Sequence, residues 1–286
     1  MREKIVWVVA VLLVVAGYEK VGLCGESFYR VRKNTNFVIP AEIYLKVENL
    51  KLRPSDRIYI ILSRNKRDVP LGKDKFKKRI KKIEKIKEQF DFSVVFSSVD
   101  DFKKYIKLLP EKVKWAGYNT ERHLTPESEM KNLIPCVNEF IKICHSYNLK
   151  ATWAPSRGIL KALEKRNKLK DIIKNLDGIG YQAQKILQNL DFEKFKEVAR
   201  EDIKLIKKYN PEIKINIQFV YGRNSEKKVL EVIDIFKPDY VALFIPPSFI
   251  RNSNCWLPWV RNIIVEDGPP QKEEGKDNTN ELKRKN

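Results

Sequence analysis

Short apolar runs alternate along the chain with longer stretches of helical periodicity, and this alternation limits the folds that are open to it. Eight runs are apolar and rich in β-branched or aromatic residues: 37–45, 57–62, 92–97, 113–118, 150–155, 178–183, 215–220 and 240–245. Apolar residues recur at helical spacing in six stretches between them: 74–90, 99–109, 126–147, 157–174, 192–209 and 225–236. Near-continuous apolar strands that alternate with helices indicate a parallel sheet covered by helices. Eight such strands predict an α/β fold, a single (β/α)8 TIM-type barrel.

The first unit departs from this pattern. Residues 46–56, "KVENLKLRPSD", leave room for at most a turn or two of helix, so we expect an irregular first unit. In the stretch 126–147, Thr125 is the predicted helix cap and Pro126 the first helical residue. Pro135 lies inside the same stretch and should kink the helix. The barrel is predicted to span residues 35–265.

The two ends of the chain lie outside the predicted barrel. Arg2 and Lys4 precede thirteen apolar or small residues, which is typical of a signal peptide and short of the roughly 20 residues that span a bilayer. Residues 1–24 are therefore predicted to be a signal peptide or a short membrane anchor, and the protein to be exported, extracellular or anchored with its barrel outside. A retained leader would tether it to the membrane. Residues 266–286 contain one apolar residue and predict a disordered polar tail.

The chain is basic, with a formal net charge of +20. In segments such as "KDKFKKRIKKIEKIKEQF" the lysines interleave with glutamates around an apolar stripe, which is typical of a solvated helix face. Nucleic acid is therefore not an expected partner, although binding of an anionic polymer stays open as a third hypothesis. Abundant Lys, Glu and Ile with few Gln and His also fits proteins of hot environments, so a thermophile is expected.

Cysteine and histidine spacing points to neither a disulfide scaffold nor a metal. Cys136 and Cys144 are eight residues apart on one predicted helix, about 12 Å along its axis, which is too far for a disulfide. A bridge between Cys24 and Cys255 requires that the leader is retained. No histidine or cysteine cluster has ligand spacing, and no phosphate-binding or dinucleotide-binding motif occurs, so neither a metal nor a cofactor is expected.

In a barrel of this type, function belongs at the carboxyl ends of the strands, and here those ends are rich in amides and aromatic residues. Amides form directional hydrogen bonds to hydroxyl groups, and aromatic rings offer a flat face to a sugar. A carbohydrate is thus the expected partner. The residues predicted to bind it are Tyr118, Trp153, Gln182, Gln184, Gln218, Tyr221 and Glu42.

The fourth predicted strand ends in "GYNTE", residues 117–121, which resembles the D-x-x-D-x-D-x-E motif of glycoside hydrolase family 18. The resemblance implies that Glu121 is the general acid and that Asn119 orients the acetamido group of the substrate; Gly117 replaces the preceding Asp. An Asn in the orienting position is similar to the endo-β-N-acetylglucosaminidases of family 85. Tyr118 to Glu121 with Thr125-Pro126 also resembles uncharacterised exported barrel proteins with a Y-D-x-E … T-P signature.

Most glycosidases use two carboxylates, about 5 Å apart when they retain configuration. The seventh strand carries Gln218 where a retaining enzyme of the common type has a Glu, so that mechanism is disfavoured. In the family 18 mechanism the substrate acetamido oxygen is the nucleophile, and Glu121 with Asn119 would be catalytic. Tyr181, Tyr221 or Asn119 would stabilise the oxazolinium, but the family's strand-six Tyr-Asp pair has no counterpart in "GYQAQK".

Three functions remain open from the sequence. The first is a glycoside-hydrolase-like protein that acts on an N-acetylhexosamine-containing carbohydrate by substrate-assisted acid catalysis. The alternative is a non-catalytic barrel that binds a glycan or another cell-envelope component, and the third is the anionic-polymer binder.

Overall fold

The fold is a closed barrel of eight parallel strands. A computed structural model describes residues 35–46, 50, 52–250 and 252–264. The strands pair in chain order and the last closes on the first, which confirms the predicted (β/α)8 barrel. They are β1 Asn36–Pro40, β2 Arg57–Ile61, β3 Asp91–Phe96, β4 Val113–Thr120, β5 Lys150–Pro155, β6 Gly178–Gln182, β7 Lys214–Val220 and β8 Tyr240–Phe244. The predicted leader, residues 1–24, and the predicted tail, residues 266–286, lie outside the described residues.

Helices cover the outside of the barrel. They are α1 Ala41–Tyr44, α2 Lys73–Glu84, α3 Val99–Tyr105, α4 Glu127–Lys131, α5 Leu133–Ser146, α6 Arg157–Lys165, α7 Leu169–Ile173, α8 Ala183–Asn189, α9 Phe192–Tyr209, α10 Glu226–Phe236, α11 Pro247–Ile250 and α12 Ser253–Ile263, with a 3-10 turn at Ile106–Leu108. Within the described ranges, no helix has both the length and the apolar character needed to cross a membrane.

The first unit is irregular, as expected, but its strand is shorter than predicted. β1 ends at Pro40, and the rest of the predicted run 37–45 turns into the short helix α1. Ala41 and Ile43 are buried in this turn, while Glu42 pairs with Lys82 of α2. The run 37–45 therefore contains a strand followed by a helical turn. Both are apolar, so composition does not mark the boundary between them.

The predicted helix 126–147 is two helices, α4 and α5, that meet at Asn132 (φ −113°, ψ 41°). In an unbroken helix the ring of Pro135 would clash with the carbonyl of residue 131. The break instead places Pro135 in the first turn of α5, where its missing N–H is not needed. Thr125 does not cap α4, contrary to the prediction, because Pro126 occupies the cap position. The predicted helix 157–174 is likewise divided, at Asn167 (φ 54°).

Alternate strand residues face opposite sides of the barrel wall, and the two sides differ in composition. The outward residues, such as Trp153 and Phe219, are fully buried against the helices and form the hydrophobic core with helix residues such as Phe140 and Phe195. The inward residues are small or polar at most positions, among them Gly117 and Thr152. Since TIM barrels are ordinarily filled by large branched side chains, this interior is unusually open.

Candidate functional site

Glu121 follows the last residue of β4 and is held by a tight turn at the carboxyl end of the barrel. Its backbone N–H donates to the hydroxyl of Thr125 at 3.1 Å, and its carbonyl accepts from the Thr125 N–H at 2.8 Å. The same hydroxyl donates to the carbonyl of Asn119 at 3.3 Å. Thr125 itself is completely buried, and its side-chain hydrogen bonds to Glu121 and Asn119 are partly buried. It fixes the backbone on both sides of the Glu121 side chain.

A hydrogen-bonded chain of three side chains crosses the mouth of the barrel. Asn119 Nδ2 donates to Glu121 Oε1 at 2.5 Å, and Gln182 Nε2 donates to Asn119 Oδ1 at 3.3 Å. The amide of Gln182 also donates to the carbonyl of Ala154 at 3.3 Å. Glu121 remains about one-third exposed, and His123 Nε2 lies 3.4 Å from its second oxygen. The carboxylate is thus oriented by an amide and open to solvent.

Beneath this chain lies a cavity of about 90 Å³ inside the barrel. The cavity exists because several inward positions carry small residues where large branched side chains would fill the space. These residues are Ser93, Gly117, Ala154, Gly178, Gly180 and Ala242. A Cβ on Gly117 would come within 2.9 Å of Thr152 Oγ1. The Asp that the family 18 motif carries at this position would therefore fit only if Thr152 moved.

Among the described residues, no carboxylate lines the cavity. Gln218 of β7 does line it, in register with Gln182 of β6, so the two amides stand side by side on the inner wall. Asn119 completes this amide surface. Such a site can donate and accept hydrogen bonds to hydroxyl and acetamido groups, but it offers Glu121 no carboxylate partner from the cavity wall.

The structure places several of the other predicted residues away from Glu121. Trp153 is fully buried and points outward from the barrel wall. Tyr118 contributes to the cavity wall, but its side chain is also buried and its hydroxyl donates to Glu129 outside the wall. Tyr181, one of the three residues predicted as possible stabilisers of the oxazolinium, is also turned outward, and its hydroxyl donates to Asp202 at 3.1 Å.

The remaining predicted residues lie on helices or in loops around the barrel. Tyr221 packs edge-on against Phe249 and Trp259, and its hydroxyl donates to the carbonyl of Cys255. Gln184 is buried in the first turn of α8. Glu42 accepts a hydrogen bond from Lys82 at 2.6 Å, between two outer helices.

The sequence does not identify the buried carboxylates of the described residues, which are Asp56, Asp101, Glu129 and Asp202. The last two contact outward tyrosines of the barrel strands. Glu129 accepts hydrogen bonds from Ser98 Oγ (2.6 Å), Val99 N (3.0 Å) and the Tyr118 hydroxyl (2.7 Å). Burial, followed by the charge of Glu129, raises the pKa of Tyr118 above its usual value. The contact ties α4 to the β3 end of the barrel and supports β4 from outside.

Asp202, the second carboxylate that contacts an outward tyrosine, occupies a similar position two strands away. It accepts from Arg157 Nε at 2.7 Å and pairs with Lys161 at 2.8 Å, in addition to its bond from Tyr181. Burial and the charge of Asp202 raise the pKa of Tyr181. In both places the carboxylate accepts a hydrogen bond from an outward-facing tyrosine of a strand, which stabilises the barrel wall from outside. The polar side chains linked by hydrogen bonds at the mouth are those of Glu121, Asn119 and Gln182.

Comparison with known proteins supports the fold. No model of a known protein family matches the sequence, and no curated protein shows significant similarity to it. Among solved structures, the family 18 chitinase of Crocus vernus is similar with a TM-score of 0.51 and 9% identity, over 78% of this chain and 96% of that one. The family GH18 chitinase catalytic domain of the fern Peteris ryukyuensis has a TM-score of 0.53 and 9% identity, over 81% and 100%.

A protein that inhibits enzymes shares the same fold. The xylanase and α-amylase inhibitor XAIP-II of Scadoxus multiflorus has a TM-score of 0.51 and 12% identity, over 82% of this chain and 99% of that one. At such identities the likeness concerns the fold alone. The chain is thus a TIM barrel that resembles those of glycoside hydrolase family 18.

Proposed function

We propose that this protein binds a carbohydrate at the mouth of the barrel, through Glu121, Asn119, Gln182 and Gln218. The chain of hydrogen bonds from Gln182 through Asn119 to Glu121 carries the proposal. It presents donors and acceptors in fixed directions above an open cavity, as recognition of hydroxyl and acetamido groups requires. Similarity of fold to two chitinases agrees with a carbohydrate ligand.

Binding without cleavage is the function that this geometry favours. No carboxylate lines the cavity in the described part of the chain, so hydrolysis by two carboxylates has no second group there. The hydroxyl of Tyr181 is engaged by Asp202 and does not face the mouth. Asn119, unlike the Asp of the family motif, cannot take up a proton from Glu121 or give one to it.

Substrate-assisted hydrolysis of an N-acetylhexosamine glycan is the second candidate. One observation favours it: Glu121 occupies the end of the fourth strand, is partly exposed and is held by a hydrogen bond from Asn119. An acetamido oxygen of the substrate would then act as the nucleophile, and Glu121 would donate the proton to the leaving group.

The test is to incubate the full-length protein with N-acetylglucosamine oligosaccharides and with acetamido-free glucose and xylose oligosaccharides. Binding is measured by calorimetry and products by chromatography, for the wild type and for Glu121→Gln. Glu139→Gln, an exposed change on α5, is the matched control. Gln keeps the shape and most of the hydrogen bonding of Glu but cannot serve as an acid.

Binding in the wild type and Glu139→Gln, with no product from either, supports the binding proposal. Product release that only Glu121→Gln abolishes would establish the hydrolytic candidate instead. Neither binding nor product across the panel would contradict the carbohydrate proposal altogether.

We further propose that the protein is exported, with residues 1–24 as its signal peptide or membrane anchor. Fractionation of the native host, followed by determination of the amino-terminal residue, tests this. Full-length protein in the cytoplasm would contradict it.

A further inference from the structure

A buried arginine lies at the amino-terminal end of the barrel interior. Arg57 is the first residue of β2 and only 3% exposed. Its guanidinium carbon is 3.6 Å from the ring centroid of Trp115 and 4.1 Å from that of Tyr240. The two rings hold the cation in place, because cations are attracted to aromatic faces.

The structure provides this cation with no direct counter-ion. Within the described ranges, the Nε and Nη2 of Arg57 have no hydrogen-bond acceptor. Asp91 is in register with Arg57 on β3, and its Oδ2 accepts from Trp115 Nε1 at 3.4 Å. Burial lowers the pKa of Arg57 to about 10, and this effect is only partly opposed by Tyr240 and by the charge of Asp91. The nearby Lys214 pairs with Asp239 at 3.0 Å. A buried cation that forms no direct salt bridge is costly, so an anion in contact with the guanidinium would stabilise it.

Arg57 lines the same cavity that opens beneath Glu121. Asn216 also lines it, and its buried Oδ1 has no donor among the described residues. The wall between them includes Ser93 and Thr152. A volume of about 90 Å³ is several times the roughly 10–15 Å³ that one water requires, so a small organic molecule fits.

We propose that the amino-terminal end of this cavity, which we call the inner site and define by Arg57, Ser93, Thr152 and Asn216, binds a small hydroxycarboxylate. The carboxylate supplies acceptors for the unpaired nitrogens of Arg57 and a counter-charge in direct contact with it, and guanidinium and carboxylate are matched in shape and charge. The hydroxyl supplies a donor for Asn216 Oδ1. The inner site goes beyond the proposed carbohydrate site at the mouth and does not depend on it.

Glycolate and its neutral amide, glycolamide, are the probes, because they match in size and differ in charge. Calorimetry with the full-length protein, in a buffer free of carboxylates, should show binding of glycolate and at least tenfold weaker binding of glycolamide. Sulfate serves as a second anion. Sulfate binding as strong as glycolate binding, or no glycolate binding by the wild type, would overturn the proposal.

Two variants test the site itself. Arg57→Gln should weaken glycolate binding at least tenfold. Asn216→Asp places a carboxyl group in the cavity, which repels glycolate when it is ionised, and should weaken glycolate binding equally at a pH well above the usual pKa of Asp. The near-ultraviolet circular dichroism of the folded protein should be retained. If Arg57→Gln does not fold, Asn216→Asp decides alone.

The matched control is Lys150→Gln, which removes an exposed positive charge at the same end of the barrel. The Nζ of Lys150 is 5.0 Å from the ring centroid of Trp115, and Lys150 does not line the cavity. Its loss should change glycolate affinity by less than about threefold. Full binding by Asn216→Asp, or equal losses in Lys150→Gln and Arg57→Gln, would refute the inner site and indicate a general effect of surface charge.

Discussion

The side-chain nitrogen of Asn119 lies 2.5 Å from Oε1 of Glu121, where the family 18 motif has a second carboxyl group. An amide nitrogen only donates, so it orients the Glu121 carboxylate and cannot share a proton with it. The other end of the amide accepts from Gln182. The Asn119 amide therefore holds the Glu121 carboxylate in a fixed direction at the mouth of the barrel.

Replacing Asn119 should weaken glycan binding without unfolding the barrel. Asn119→Leu removes both the donor to Glu121 and the acceptor for Gln182, and each net hydrogen bond is worth about 0.5–1.5 kcal/mol. We expect about a tenfold loss of affinity, measured by calorimetry with the best ligand of the panel. Asn175→Leu, an exposed change far from the mouth, is the control. Equal affinity in both variants would show that the amide does not position the ligand.

The hydroxyl of Thr125 should stabilise both the fold and the site. Thr125→Val keeps the shape of the side chain but leaves the Glu121 N–H without its acceptor. An unsatisfied polar group in such a position costs about 1–3 kcal/mol, which urea denaturation would detect as a lower midpoint. Thr125→Ser retains the hydroxyl, so its urea midpoint should fall clearly less than that of Thr125→Val. A Val variant as stable as the Ser variant would argue that water replaces the bond.

The barrel could be predicted from the sequence because strands and helices differ in period and length, and seven of the eight strand predictions match β2 to β8 within two residues at either end. The first prediction is too long at its carboxyl end because one apolar run, residues 37–45, contains a strand followed by a helical turn. The sequence also predicts that Glu121 and Gln182 lie at the same end of the barrel, because the carboxyl ends of parallel strands meet there. In the structure Asn119 connects the two residues.

The direction of each strand side chain could not be predicted. Both faces of a parallel barrel strand are buried, so alternation of polar and apolar residues does not mark the inner face. The sequence therefore leaves open whether Trp153 lies at the mouth or in the core and offers Tyr181 for the mouth, whereas both side chains point towards the helices. Arg57 is the first residue of β2, a position at which a charged side chain is commonly exposed. The closed barrel shows that its side chain lines the interior cavity.

The buried carboxylate of Glu129 should be essential to the β3 side of the barrel. Its two oxygens accept from Ser98, Val99 and Tyr118, and an amide at this position replaces one acceptor with a donor. At least one of these donors would be left unpaired in Glu129→Gln, at a cost of about 1–3 kcal/mol in the free energy of unfolding. Glu139→Gln should change stability by less than about 0.5 kcal/mol. Urea denaturation compares the two, and similar midpoints would rule out a structural requirement for the charge.

Lys75 should titrate near neutrality. It lies in the first turn of α2, where its ammonium donates to the carbonyl of Ser63 at 2.9 Å. Burial, assisted by the charge of Arg79 and opposed by that of Asp101, lowers the pKa of Lys75 from 10.5 to about 8. In protein labelled with ¹³C-lysine, the Cε resonance that disappears in Lys75→Gln should have a titration midpoint of about 8. A midpoint near 10.5 would contradict the prediction.

The lowered pKa of Lys75 has a defined effect on stability. The unfolded chain keeps this proton up to about pH 10.5, whereas the folded protein releases it near pH 8. Between these values the unfolded state binds more protons, so the contribution of Lys75 to stability rises with pH. The difference in urea midpoint between wild type and Lys75→Gln should therefore shift in favour of the wild type from pH 7.5 to pH 9.5. Lys73→Gln, an exposed change in the same turn, controls for the loss of one positive charge and should show a smaller shift.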